Sequence, residues 1–203
     1  MNTWTRSKGK RAFDFLASLL GLIILSPLFL LLAVIIKLED GGPVFFRQER
    51  VGYRGRKFRI WKFRTMVVNA ENLGGHLTVG RDPRITRVGH WLRKTKLDEL
   101  PQLINVLLGE MSLVGPRPEV PKYVSLYTDD QRCVLELRPG ITDPASIQFR
   151  DENELLAKVT DPERYYLEAV MPEKIQLNLE YAKRASFWTD MRVIYKTLIR
   201  LCR

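Results

Sequence analysis

Lys96-Leu97-Asp98-Glu99-Leu100-Pro101-Gln102, followed by Gly115-Pro116-Arg117-Pro118, is the stretch around which the chain is arranged. Proline has no N–H to donate and is accepted in a helix only in its first turn. Pro101 therefore predicts a helix that starts near Asp98 and runs through Leu103, Ile104, Leu107 and Leu108. Gly109 then stands just past its end. On that reading Asp98 and Glu99 sit at a helix N-terminus, where free N–H groups and the dipole favour a carboxylate or a phosphate. For an isolated Asp-Glu pair the plain alternative is a capping Asp98 beside a solvated Glu99. The surrounding sequence has to decide between the two.

Upstream lies a long apolar run. From Phe15 to Ile36 there is no charged residue, and more than a dozen Leu, Ile, Val and Phe are present. A spanning helix needs about 20 such residues. Each contributes roughly −0.3 to −0.6 kcal/mol to insertion, and their sum exceeds the roughly 3 kcal/mol that Pro27 costs inside a helix. The run is therefore a membrane segment, too long for a cleaved signal peptide and without a small-residue cleavage site after it. Basic residues flank both ends: Arg6, Lys8, Lys10 and Arg11 before it, then Lys37, Arg47, Arg50, Arg54 and Arg56. A simple spanning helix carries such an excess on one side. Pro27 frees the carbonyl four residues back, and Ser26 can bond to the freed backbone. These facts favour a re-entrant helix, kinked at Ser26 and Pro27, over a spanning one. Asp14 at the entry has Lys10 and Arg11 as candidate partners.

Two regions result, a membrane helix region over 1–40 and a globular domain over 41–203. The 203 residues carry 33 Lys and Arg against 23 acidic residues, a net charge of +10. Such an excess suits a phosphorylated or polyanionic partner, or an anionic membrane surface. Cys133 and Cys202 are far apart, which excludes a disulfide scaffold and any metal-type cysteine spacing. His76 and His90 lack partners at ligand spacing.

After a turn at Glu39 to Pro43, Val44-Phe45-Phe46 opens a strand, and Gly52 to Gly55 reads as a hairpin turn. Lys57 to Thr65 alternates Phe58, Ile60 and Phe63 with Lys57, Arg59, Lys62 and Arg64, a strand with a cationic face. That face is either solvated or a phosphate or headgroup site. A polar loop follows from Ala70 to Gly80. Val120 to Leu126 reads as helical, Thr128 to Gln131 as a capping box, and Ser146 to Arg150 as a strand. Pro162 and Pro172 mark helix starts. Phe187 to Leu201 is an amphipathic helix, with Arg192, Lys196 and Arg200 opposite Trp188, Met191, Ile194 and Leu198. Its apolar face lies either in the membrane interface or on the core.

The order of short motifs resembles the bacterial sugar transferases, the monotopic phosphoglycosyl transferases of the minimal type. The resemblance runs through Lys10-Arg11, Ser26-Pro27, Gly42 to Phe46, Trp61-Lys62-Phe63-Arg64-Thr65-Met66 and Asp82-Pro83-Arg84. Its most specific part is Leu97 to Gln102 with Asn105, Gly109, Met111-Ser112 and Val114 to Glu119, closed by Arg138-Pro139-Gly140-Ile141-Thr142. One departure stands out: Asp143-Pro144-Ala145-Ser146 replaces the family's Gly-Trp continuation, which bears on the sugar site.

The resemblance implies an α/β fold, compact and mostly helical with a small sheet, on the cytoplasmic face of the bacterial inner membrane. A re-entrant helix and interfacial amphipathic helices would hold it there. It implies transfer of a sugar phosphate from a UDP-sugar to polyprenyl (undecaprenyl) phosphate, with UMP leaving and Mg²⁺ as cofactor. Asp98 would be the nucleophile, and Glu99 would help hold the metal or assist the acceptor. Arg117, set between Pro116 and Pro118, looks like part of the nucleotide site. Arg64, Arg93, Lys62 and Gln102 are further substrate-binding candidates. Membrane lipid is an expected partner, nucleic acid is not, and a homodimer is left open. The rival is a membrane-anchored basic module that binds nucleic acid or acidic lipid. It accounts for the charge but not for the Asp-Glu or Pro-Arg-Pro segments.

Overall fold

The computed structural model describes residues 3–73 and 82–201. His76, Cys202 and all of the Ala70–Gly80 loop beyond a 3-10 turn at Ala70–Leu73 lie outside the described residues.

Helix α1 (Lys8–Asp40) begins where the Ser7 side chain accepts from Lys10 N at 3.0 Å and ends at Gly41, left-handed at φ 71°. Its 33 residues make a rod of about 50 Å at about 1.5 Å per residue. It stays continuous across Pro27. The carbonyl that Pro27 orphans is that of Ile23, and Ser26 Oγ donates to it at 2.8 Å, as the sequence foresaw.

Both ends of α1 are bonded to the same globular body. At the entry, buried Lys10 donates to buried Asp190 at 2.6 Å. Arg11 donates to the carbonyls of Val106 and Leu107. Asp14 accepts from Ser112 Oγ at 2.7 Å and from Leu113 N at 3.1 Å. This corrects the expected pairing of Asp14 with Lys10 or Arg11: all three reach across to the domain, where buried partners await them. At the exit, Leu32 and Ile36 pack with Phe63 and Leu92. Glu39 accepts from Val88 N at 3.0 Å. Between the two ends Leu16, Leu20, Ile23, Ile24, Leu30 and Leu31 stay exposed.

Strands β1 (Phe45–Val51) and β2 (Lys57–Phe63) form an antiparallel hairpin, Phe45 opposite Phe63 and Val51 opposite Lys57. Its turn is a 3-10 segment with Arg54 at φ 55°. Helix α2 (Arg87–Thr95) ends where Lys96 turns left-handed at φ 58°. Leu97–Glu99 is then a 3-10 turn, and α3 (Gln102–Leu108) follows, closed by Gly109 at φ 86°. The helix therefore starts later than the sequence implied. Pro101 has no N–H for the carbonyl of Leu97, which accepts instead from Leu100 N at 3.2 Å, the tighter i→i+3 pattern. Asp98 and Glu99 stand before α3, not in its first turn.

Strand β3 (Ser112–Val114) leads to α4 (Pro121–Val124) and α5 (Asp129–Arg132), the latter with the foreseen Thr128–Gln131 capping box. Strand β4 (Gly140–Thr142) returns to pair with β3 in parallel. Two two-stranded sheets thus replace the single small sheet that was expected. Helix α6 (Pro144–Gln148) occupies the place of the strand expected over Ser146 to Arg150. The cause is local: Asp143 accepts from Ser146 N at 3.0 Å, and Pro144 sits in the first turn. The remaining helices are α7 (Glu152–Leu156), α8 (Pro162–Tyr165), α9 (Met171–Arg184) and α10 (Phe187–Leu201). Val120, Tyr123, Leu137, Leu156, Tyr166 and Ile175 belong to the main core. On α10 only part of the apolar set faces that body. Val193 and Asp190 are buried, whereas Trp188 is 78% and Leu198 57% exposed.

Candidate active site

Asn105, fully buried on α3, ties that helix to β2. Its Oδ1 accepts from Trp61 N at 2.9 Å, and its Nδ2 donates to the Arg59 carbonyl at 3.0 Å. The register brings Lys62 of β2 beside the Leu97–Glu99 turn, with Nζ 3.1 Å from Glu99 Oε1.

Arg117 reaches the same carboxylate from another segment. Gly115 N donates to the Thr142 carbonyl at 3.0 Å, and Gly140 N to the Pro116 carbonyl at 2.9 Å. The two glycines lie back to back, and a Cβ on Gly140 would collide with the backbone of Gly115. The Gly-Pro-Arg-Pro and Arg-Pro-Gly-Ile-Thr motifs are therefore two halves of one packed unit. Arg50 Nη1 donates to the Pro118 carbonyl at 3.3 Å and fixes the far side. Held this way, Arg117 forks onto Glu99, Nη1 to Oε2 at 2.9 Å and Nη2 to Oε1.

Asp98 differs from its neighbour. It is 5% exposed, and its Oδ1 has no hydrogen-bond partner among the described residues. Burial, then the charge of Glu99, raises its pKa above the usual aspartate value. Burial would raise Glu99 too, but Arg117 and Lys62 outweigh it and hold that carboxyl well below the ordinary range. Glu99 in turn raises the Arg117 pKa, and burial lowers that of Lys62. Two adjacent carboxylates driven in opposite directions have opposite aptitudes. Glu99 is a fixed anion that orients two cations. Asp98 is the more basic and the uncommitted one. Half-buried Arg93, on α2, favours its charged form from a third side.

Lys62, Arg93, Asp98, Glu99 and Arg117 thus belong to one site, and Gln102 borders it. Pro116 and Pro118 shape the Arg117 loop and offer carbonyls. Arg64 falls outside. Its Nε donates to the Pro43 carbonyl, its Nη1 to Asp40 and Met66, and its Nη2 to Asp40. Its guanidinium is spent on the end of α1 and on its own strand's exit, so the structure does not bring it into the group around Glu99. His90 is exposed on α2. Among the described residues no group of three or more His, Cys, Asp or Glu converges to hold a metal. Asp98, with its free oxygen, fits Mg²⁺ bound largely by substrate phosphates. Glu99 fits it poorly, because Arg117 and Lys62 occupy most of its lone pairs.

Sequence reasoning missed three contributors. Arg50 was counted as flanking charge and as a motif residue, without its bond to the Pro118 carbonyl. Asn105 was noted as a motif residue, without its bond to β2. Asp143, fully buried, raises the Arg117 pKa through its charge and was seen only as a departure in the sugar loop.

The family model of the bacterial sugar transferases matches residues 5–203, and the chain belongs to that family. It is 41% identical over 198 residues to the undecaprenyl-phosphate glucose phosphotransferase of Komagataeibacter xylinus, covering 94% of this chain and 35% of that protein. It is 37% identical over 199 residues to the UDP-glucose:undecaprenyl-phosphate glucose-1-phosphate transferase of Escherichia coli (strain K12), covering 94% of this chain and 39% of that protein. The exopolysaccharide production protein ExoY of Sinorhizobium fredii is 35% identical over 208 residues, 95% of this chain and 85% of that protein. The chain spans well under half the length of the first two relatives.

Proposed function

We propose that the protein moves a sugar 1-phosphate from a UDP-sugar to undecaprenyl phosphate through a covalent aspartyl phosphosugar on Asp98, as the first membrane step of exopolysaccharide or capsule synthesis. The observation that carries this is the unpartnered, buried Asp98 oxygen beside a Glu99 already claimed by Arg117 and Lys62. A carboxylate that no side-chain cation claims keeps an oxygen free to attack. A neighbour that absorbs the cations keeps them close without quenching it.

In the first half, one Asp98 oxygen attacks the sugar-bearing phosphorus, and the bond to the bridging oxygen breaks as UMP leaves with the electron pair. In the second, a phosphate oxygen of the acceptor attacks the same phosphorus and regenerates the carboxylate. Arg117, Lys62 and Arg93 lower the repulsion between three anions and offset charge on the phosphoryl oxygens. Asp98 and the substrate diphosphate would hold Mg²⁺, which would supply further charge neutralisation there.

Membrane topology belongs to the same reading. Both ends of α1 are tied to one domain, by Lys10, Arg11 and Asp14 at the entry and by Glu39 and Asp40 at the exit. This supports a helix that enters and leaves by the cytoplasmic face of the inner membrane, bent at Ser26-Pro27. Cysteines placed at Thr3 and Asp40 should be labelled from the same side, and labelling from opposite sides defeats the re-entrant form.

The activity is tested in detergent with undecaprenyl phosphate, Mg²⁺ and a panel of UDP-glucose, UDP-galactose and UDP-N-acetylgalactosamine, scoring UMP. Acceptor-dependent UMP release is expected, stopped by excess chelator. Salt-sensitive nucleic-acid binding without UMP release would favour a basic module instead.

A further inference from the structure

We infer that the Gln102 side-chain amide is a phosphoryl-oxygen donor of this site, bonding a non-bridging oxygen of the phosphorus that Asp98 attacks. The inference rests on the reading of Asp98 as nucleophile.

Gln102 is 1% exposed, and its Nε2 has no hydrogen-bond partner among the described residues. Nearly all buried polar groups are bonded, so each exception asks for a ligand or a function. Five side-chain atoms are orphaned in this way, and two of them are Asp98 Oδ1 and Gln102 Nε2. The pair is four residues apart. Leu100 (φ −55°, ψ −35°) and Pro101 (φ −61°, ψ −13°) keep the backbone right-handed between the 3-10 turn and α3. The bonds along this stretch are i→i+3, Leu100 N to Leu97, Leu103 N to Leu100 and Ile104 N to Pro101, so the two residues lie little more than one turn apart. Yet the donor and the acceptor do not bond each other.

A buried acceptor and a buried donor little more than one turn apart, neither bonded to the other nor to another described residue, leave a place for a group that satisfies both. A phosphoryl centre does so: its phosphorus takes the Asp98 oxygen, and its non-bridging oxygen takes the amide N–H. The charged donors nearby do not make this contact unnecessary, because Lys62 and Arg117 are engaged with Glu99. A neutral donor has a further advantage. A Lys or Arg at 102 would pair with Asp98 and blunt it, whereas an amide donates to the phosphoryl oxygen without bringing a charge. In the step itself the Asp98–phosphorus bond forms and the bond to the bridging oxygen breaks. UMP takes the electron pair, and the amide protons stay on nitrogen.

The test uses the full chain with whichever UDP-sugar in the panel labels the wild type, and with its analogue carrying sulfur at a non-bridging β-phosphoryl position. Sulfur is the poorer acceptor, so one diastereomer should slow the wild-type UMP burst. Gln102→Met keeps the volume and removes the donor. Its burst with the normal substrate should be slower by about 100-fold, and the diastereomer-specific sulfur effect should vanish. If Gln102→Met loses its cooperative melting transition, Gln102→Asn, which withdraws the donor by one methylene, takes its place with the same expectation. A variant burst at the wild-type rate, or a sulfur effect undiminished in the variant, overturns the inference. A wild type that forms no adduct at all overturns the Asp98 reading, and this inference with it.

Discussion

Arg64 and Arg117 each fork onto a single carboxylate, Asp40 and Glu99 respectively; Arg64 and Glu99 are buried, whereas Asp40 is exposed and Arg117 half-buried. In the first, all three guanidinium nitrogens are engaged and both residues join the end of α1 to β2. In the second, the carboxylate is shared with Lys62, and the preceding residue, Asp98, keeps an oxygen with no partner among the described residues. A buried arginine therefore does not by itself mark an anion site. What marks one here is the surplus beside the pair: an unclaimed oxygen, an unclaimed amide and a second cation. The Arg64 pair closes a joint, and the Arg117 pair borders the unclaimed Asp98 oxygen.

The largest expected effect is at Asp98. Asp98→Asn keeps the side-chain size, so the fold should survive while turnover falls by more than about 1000-fold; steady-state UMP release with a melting curve checks both. Glu99→Gln comes next. It frees Arg117 and Lys62 to turn onto Asp98, and turnover should fall by about 100-fold, the order of losing a buried charged partner.

That variant also sharpens the comparison through pH. The burst needs Asp98 ionised, so its rate is lost as pH falls through the Asp98 pKa, which burial and Glu99 raise above the ordinary value. Removing the Glu99 charge lowers that pKa, and the acid limb of the burst rate should move to lower pH. A limb that stays in place would show that Glu99 does not act on Asp98. Glu99 also links folding stability to pH. Its depressed pKa adds stability above the ordinary glutamate value, and that stability is lost as pH falls through the folded value.

Arg117→Ala should raise the KM for the UDP-sugar by roughly 10- to 100-fold, from a charge-assisted bond of about 1.5–3 kcal/mol. Arg64→Ala should have the smallest effect on the burst per folded molecule. It should instead lower stability by roughly 1.5–3 kcal/mol, the order of a charge-assisted hydrogen bond, read as a lower melting temperature. If Arg64→Ala behaved like Arg117→Ala in KM, the distinction between joint and site would fail.

Much of this was legible in sequence because it is local. The Thr128 capping box, the hairpin turn at Tyr53 and the bounds of α10 follow from residues a few positions apart. Asp98, Glu99 and Arg117 were named from motif order, and the structure brings the three together although the helix the first two were placed on begins later. What was not legible is long-range. Nothing near Asp14 announces Ser112, and nothing near Arg64 announces Asp40. Gly115 and Gly140 looked like separate motif glycines until the parallel β3–β4 pairing placed one backbone against the other. The α6 helix was misread for a different reason. Ser146-Ile147-Gln148-Phe149 has a strand-like composition, and the Asp143-Pro144 start signal just before it was taken as part of a loop.

The central claim is that Asp98 carries the transferred group. Intact-protein mass spectrometry after incubation with the UDP-sugar alone, followed by peptide mapping, tests it most directly. The account predicts one sugar phosphate per molecule, located on Asp98, absent from Asp98→Asn and discharged by undecaprenyl phosphate. An adduct on Glu99, an adduct retained by Asp98→Asn, or full turnover with no adduct would contradict it.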